Sequence, residues 1–123
     1  MKKIIVIGGG PAGMMAAIAA AQAGAEVALW ERNSSLGNKL AITGKGRCNI
    51  TNNCSLSELI NNIPNNGMFL YGAFSRFNSA DTIDFFTSLG VELKTERGRR
   101  VFPVSDQAGE IVKAFAQHLN SLG

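Results

Sequence analysis

The sequence predicts an α/β fold that opens with a parallel strand–helix–strand unit, and three features of its N-terminal quarter predict it. Lys3–Ile7 (KIIVI) is an unbroken run dominated by β-branched residues, as expected of a parallel strand covered on both faces. Residues 11–23 are rich in Ala and Met, carry Ile18 as their one β-branched side chain, and meet a helix stop at Gly24. Glu26–Trp30 (EVALW) then returns to strand character and ends in Glu31. A βαβ unit needs about 30 residues, and these three pieces fit within that span.

The rest of the chain follows in the same terms. Residues 32–54 show neither helical nor strand period, and their Gly, Asn, Ser and Thr content suits a loop that wraps a ligand. Residues 55–63 read as a short helix stopped by Pro64, and residues 68–77 as another. Ser79 is expected to cap a helix through Leu89, with Ile83, Phe85, Phe86 and Leu89 as its apolar side and Gly90 as its stop. Residues 91–95 and Arg100–Pro103 read as short strands around a turn at residues 96–99. Ser105 is expected to cap the last helix, where Ile111, Phe115 and Leu119 repeat on one face. Only two parallel strands are firm, and the third that should follow a helix at 105–122 is missing. The expectation is an incomplete α/β domain, with residues 1–123 as its N-terminal portion.

Composition narrows the function. The 123 residues suffice for one domain, and 46% hydrophobic against 17% charged residues excludes global disorder. A net charge of +3 is mild, its basic residues are scattered apart from Arg97, Arg99 and Arg100, and the few aromatics do not interleave with them. No nucleic-acid platform is therefore expected. The two cysteines, Cys48 and Cys54, fit neither a redox pair nor a zinc spacing, and His118 is the one histidine, so no metal site is expected. Two reduced thiols point to the cytoplasm. Met1-Lys2-Lys3 and the apolar run to Ala25 imitate a secretory signal or a membrane span. Gly8-Gly9-Gly10-Pro11 breaks that run, and Glu26 follows it with a second strand, so no membrane partner is expected.

The glycine-rich turn carries the chemistry. Gly8-Gly9-Gly10-Pro11-Ala12-Gly13 satisfies G-x-G-x-x-G directly between a strand and a helix, the context that makes this pattern informative. Gly8 permits the tight turn, Gly10 lets the backbone approach a pyrophosphate, and Gly13 allows close helix–sheet packing. The helix N-terminus offers unpaired N–H groups and partial positive charge to the phosphates, and Pro11 suits its first turn. Glu31, 18 positions after Gly13, ends the second strand where a carboxylate accepts both ribose hydroxyls and repels a 2′-phosphate. This is the fingerprint of a Rossmann-like dinucleotide site. Gly44-Lys45-Gly46 superficially suggests a P-loop, but Lys39 and Gly46 occupy the positions that require Gly and Ser or Thr.

A second segment, Gly37-Asn38-Lys39-Leu40-Ala41-Ile42-Thr43-Gly44-Lys45-Gly46-Arg47-Cys48-Asn49-Ile50-Thr51-Asn52, combines glycines with cations and hydrogen-bonding side chains. Such a loop suits a flavin, whose anionic reduced form a nearby cation stabilises. Cys48 stands beside Arg47, which would lower its thiol pKa, but Cys48 and Cys54 miss the C-x4-C spacing of flavin disulfide reductases, so a redox role is the lesser reading beside a plain reduced thiol.

This segment resembles the GxKLxxSGxGRCNxTN signature of the BaiN-like, or aminoacetone-oxidase-like, family of FAD-dependent oxidoreductases. The N-terminal GGGPAG and Arg99-Arg100-Val101-Phe102-Pro103-Val104-Ser105-Asp106, similar to the family's GRVFPxS, fall in family order. The departures are Thr43 for Ser, and Lys45 and Arg99 where Gly is common. The resemblance implies the glutathione-reductase type of FAD-binding domain, of which residues 1–123 are the first part. The Ala-Thr-Gly-Gly strand end that closes the family's FAD site has no counterpart here. It implies FAD as cofactor, NAD(P)H as a candidate reductant and a small molecule as substrate. Gly8, Gly10, Pro11, Ala12, Gly13, Glu31, Arg32, Lys39, Thr43, Gly44, Arg47, Cys48 and Asn49 become the candidate cofactor-binding residues. Catalytic residues remain unassigned, and residues 1–123 alone are expected to be inactive. The fingerprint by itself also admits an NAD-dependent dehydrogenase or a truncated, non-catalytic nucleotide-binding module, and the exposed sheet edge of such a fragment predicts self-association.

Overall fold

The computed structural model describes residues 1–123. In chain order the elements are β1 (Lys3–Ile7), α1 (Pro11–Gln22), β2 (Glu26–Trp30), α2 (Thr43–Gly46), β3 (Thr51–Asn52), α3 (Leu56–Asn61), α4 (Tyr71–Arg76), α5 (Ser79–Ser88), β4 (Leu93–Glu96), β5 (Arg100–Pro103) and α6 (Ala108–Leu122). Short 3₁₀ turns precede α2 and α4 and join β4 to β5. Two compact units result. The first comprises residues 1–48 and 107–123, and the second, residues 49–106, is inserted into it along the chain.

The first unit is the βαβ unit with α6 added. β1 and β2 pair in parallel, with Lys3 opposite Glu26 and Ile7 opposite Trp30. The helix between them ends in a Schellman arrangement: Gly24 is left-handed, its N–H reaches the Ala21 carbonyl, and the Ala25 N–H reaches that of Ala20. Met14, Ala17 and Ile18 of α1 are buried, as are Ala108, Ile111, Ala114 and Phe115 of α6, so two apolar helix faces that mix alanines with large side chains close on one another. Met14 is wholly buried. Truncation at such a position costs about 2–5 kcal/mol.

The expectation that β1 is covered on both faces is not met within these residues. Alternation puts Ile5, Ile7, Ala28 and Trp30 on one face of the sheet, and Ile7 is 82% and Trp30 59% exposed. Val27 and Leu29, on the other face, line a groove with Ala17 and Ala21 of α1. One helix layer therefore serves one sheet face, and β1 has β2 as its single strand neighbour.

The second unit is a small antiparallel sheet, ordered β3–β5–β4, with α5 packed against it. Its core holds Ile60, Phe86, Val91, Val101, Phe102 and Pro103. Three local expectations need correction here or at its borders. Thr51–Asn52 is a strand rather than loop, because Thr51 pairs with Val101 and Asn52 with Arg100. Asn78, not Ser79, caps α5: its side chain accepts the Asp81 N–H at 3.1 Å while the Asp81 carboxylate accepts the Asn78 N–H at 2.8 Å. Ser79 is instead buried, its hydroxyl 3.2 Å from that of Thr51. The last helix begins after Gln107, not Ser105, because Asp106 takes a left-handed backbone conformation that interrupts a helix.

Candidate functional site: the phosphate turn and its surroundings

The turn leaves β1 at Gly8, whose φ of +103° is closed to other residues without strain. The Gly8 N–H donates to the Trp30 carbonyl at 2.7 Å, extending the β1–β2 ladder to the point where the chain turns. Gly10 is the N-cap of α1 in extended conformation and Pro11 its first residue, with no side chain capping the end. The first N–H groups of the helix are thus left for an incoming anion.

Gly13 and Gly10 differ in what a side chain would meet. A Cβ on Gly13 would overlap the carbonyl oxygen of Gly8, so the helix cannot begin so close to the strand with any other residue there. A Cβ on Gly10 would meet nothing within 4 Å. That open space lies at the helix N-terminus, where a phosphate must come close to backbone. This fits a dinucleotide: one glycine shapes the cradle, and another keeps its mouth clear.

Glu31 stands at the end of β2 and half-buried. One carboxylate oxygen accepts the Asn33 N–H at 2.8 Å and the other the Gly9 N–H at 3.0 Å. These two backbone donors, Asn33 first, hold its carboxyl below the usual carboxylate range, so it is ionised at neutral pH. Each oxygen retains acceptor capacity, as ribose hydroxyls require. Arg32 beside it is exposed and adds positive charge that also favours the ionised form.

The second glycine-rich segment enters the site through residues that the sequence reading did not single out. The Gly37 N–H donates to the Gly9 carbonyl at 2.8 Å, and Leu36 packs against Gly9. A run of three glycines at 8–10, one more than the fingerprint needs, is the sequence signal that Gly9 is itself constrained.

Farther along, the segment forms an unusual turn. Lys39 is exposed at the start of a 3₁₀ turn, and the Thr43 hydroxyl donates to the Leu40 carbonyl at 2.7 Å. Gly44 and Lys45 are both left-handed, Gly46 has φ +83°, and Cys48 has φ +61°. The Cys48 N–H closes the turn on the Thr43 carbonyl at 3.0 Å. Arg47 is half-buried, and Asn49 is exposed as the first residue of the second unit.

The lesser reading, a redox role for Cys48, is not supported. Its side chain is 2% exposed, and burial pushes the thiol pKa up, against the lowering expected from Arg47. The protonated, enclosed thiol is a core group, which leaves its main chain as the part that faces the turn. No helix of the structure is long and apolar enough to cross a membrane.

A βαβ unit whose first turn is cleared for phosphate and whose second strand ends in an ionised carboxylate defines a dinucleotide-binding domain of Rossmann type. The chain belongs to the family described as HI0933-like protein Rossmann domain, which it matches over residues 2–123. This is the BaiN-like, aminoacetone-oxidase-like family of FAD-dependent oxidoreductases.

Among curated relatives, the chain is 36% identical over 121 residues to a 3-dehydro-bile acid delta(4,6)-reductase of Clostridium scindens, covering 97% of this chain and 29% of that protein. It is 34% identical over 108 residues to a ribosomal RNA dihydrouridine synthase of Escherichia coli, covering 88% and 26%. It is 56% identical over 41 residues to an NADH oxidase of Thermoanaerobacter brockii, covering 33% and 6%. The chain thus spans less than a third of the length of these relatives.

Proposed function

We propose that this chain binds FAD through its phosphate turn and Glu31, as the nucleotide-binding region of an oxidoreductase reduced by NAD(P)H. The observation that carries the reading is the pairing of an open helix N-terminus at Gly10 with an anchored, ionised carboxylate at the end of β2. Gly8, Gly10, Pro11, Ala12 and Gly13 would face the pyrophosphate and Glu31 the adenosine ribose. Arg32, Lys39, Thr43, Gly44, Arg47, Cys48 and Asn49 line the approaches by the family resemblance. Bound flavin supplies the hydride chemistry; this chain's residues bind and orient it. Relatives named for a bile acid and for ribosomal RNA share this region, so the substrate, which we take to be a small molecule, is chosen elsewhere than in the turn.

Fluorescence titration of the chain with FAD, and with NAD in parallel, tests the reading. Saturable binding of FAD at concentrations where NAD fails to bind is expected. Saturation by NAD with none by FAD would move the protein to the dehydrogenase class. The unpaired side of β1 and the exposed Ile7 and Trp30 also favour self-association, which a rise in apparent mass with concentration on size exclusion would reveal.

A further inference from the structure

Gly9 occupies a variable position of the fingerprint, yet both of its backbone groups are engaged in hydrogen bonds. Its N–H is taken by Glu31 at 3.0 Å and its carbonyl by the Gly37 N–H at 2.8 Å. A Cβ there would sit 2.5 Å from Leu36 Cδ2 and 3.1 Å from Glu31 Cβ. Both holders are themselves fixed. The other oxygen of Glu31 is engaged by Asn33 at 2.8 Å. Gly37 is buried with φ +67°, and a Cβ on it would lie 3.1 Å from Val112 of α6 and 3.6 Å from Met14 of α1.

We propose that Glu31 and Gly37 are positioning residues that grip Gly9 by both of its backbone groups and hold the phosphate turn in its ligand-ready shape before any nucleotide arrives. The inference rests on the dinucleotide reading above and adds a second task to Glu31. As a ribose acceptor, Glu31 acts on the hydroxyls of the ligand. As a brace, it acts on the backbone that meets the phosphates, so its influence extends to ligands without those hydroxyls. Preorganisation of this kind raises affinity by removing the ordering cost from the binding step. Gly37 makes the first residue of the second glycine-rich segment part of the same device, and its left-handed backbone and crowded surroundings require glycine.

The substitution Glu31→Gln keeps size and removes the charge. ADP and 2′,3′-dideoxy-ADP are then titrated against the wild-type chain and the variant, with urea midpoints confirming that both are folded. A brace predicts that both ligands weaken together, by about tenfold or more, because a hydrogen bond to a charged group is lost from the turn itself. A loss confined to ADP, or no loss for either ligand, overturns the inference and leaves nucleotide binding intact. Failure of the wild-type chain to bind ADP, dideoxy-ADP or FAD overturns the dinucleotide reading instead.

A ligand-free measurement separates the two. The amide proton of Gly9 in the wild-type chain should shift with pH as the Glu31 carboxylate titrates, and that dependence should vanish in E31Q. A Gly9 amide indifferent to pH would refute the grip whatever the ligands do. Gly37→Ala, if it folds, should weaken ADP and dideoxy-ADP alike.

Discussion

The first unit contains two glycine-rich segments, the turn at residues 8–13 and the loop at residues 43–48, and they use glycine for different reasons. In the turn, beyond the left-handed Gly8, the constraint is space. Gly13 abuts the Gly8 carbonyl, Gly9 abuts Leu36 and Glu31, and Gly10 faces an opening. In the loop the constraint is backbone angle. Gly46 has φ +83° with nothing within 4 Å of a would-be Cβ, and its neighbour Lys45 takes φ +57° with a full side chain. A crowded glycine resists substitution by steric overlap. An uncrowded left-handed glycine resists it by about 1–2 kcal/mol of backbone strain.

The contrast sets the sizes of substitution effects. Gly13→Ala should be the most damaging, since its methyl group meets main chain that cannot step aside; urea denaturation should show a loss of about 3 kcal/mol or more, with no measurable FAD binding. Gly10→Ala should separate stability from binding. Its backbone, at φ −80°, accepts alanine, and a poorer N-cap and a less flexible unfolded chain oppose each other at about 0.5–1 kcal/mol each. The urea midpoint should therefore hardly move, while FAD affinity falls by about tenfold or more as the methyl group fills the phosphate approach. Equal affinity for FAD in G10A and wild type would place the phosphates elsewhere.

The same contrast explains what was legible in the sequence. β1, α1 and β2 were readable to within a residue because run composition, Pro11 and Gly24 are local signals. The spatial glycines belong to a fixed pattern between a strand and a helix, so the turn was readable too. Thr51–Asn52 was not, because a two-residue strand exists only through its partner β5, far along the chain. The grip on Gly9 was hidden because two of its three participants contribute only backbone groups, which composition does not report. The burial of Cys48 was not legible because its sequence neighbours Arg47 and Asn49 are polar, whereas its side chain turns into the core. The start of α6 misled because Ser105, a good capping type, is followed by Asp106 in a left-handed backbone conformation that composition does not report.

The angle-driven loop gives smaller effects with opposite signs. Gly46→Ala should cost about 1 kcal/mol, the left-handed penalty less the gain from a stiffer unfolded chain. Lys45→Gly should do the reverse and raise the urea midpoint by about 0.5–1 kcal/mol in stability, because strain at φ +57° is released. If K45G instead destabilises the chain, the lysine side chain is supplying an interaction that outweighs its backbone strain.

The smallest effects are electrostatic, and they distinguish the second unit by acting at both ends of the pH range. Glu58 accepts the Ser55 N–H, and Arg99 Nη1 donates to both of its carboxylate oxygens at 3.0 and 3.1 Å; these hold its carboxyl below the usual range. A lowered carboxyl pKa contributes stability that is present above the unfolded value, about 4.3, and is lost as pH falls through the folded value. Lys94 sits between Asp106 at 2.9 Å and Glu96 at 3.1 Å, and these partners raise its pKa. Its contribution is complete below the unfolded lysine value, about 10.4, and is lost as pH rises through the folded value. Lys94→Met should therefore flatten the alkaline limb of a stability–pH profile, and also trim the acid limb because protonating Asp106 or Glu96 breaks the same pairs, while Glu58→Gln should flatten the acid limb alone. Because all five groups of these pairs are partly solvated, both differences should shrink when the profiles are repeated at high salt. A limb that is indifferent to salt would mean that the pair is shielded from solvent and couples to the fold more strongly than its exposure indicates.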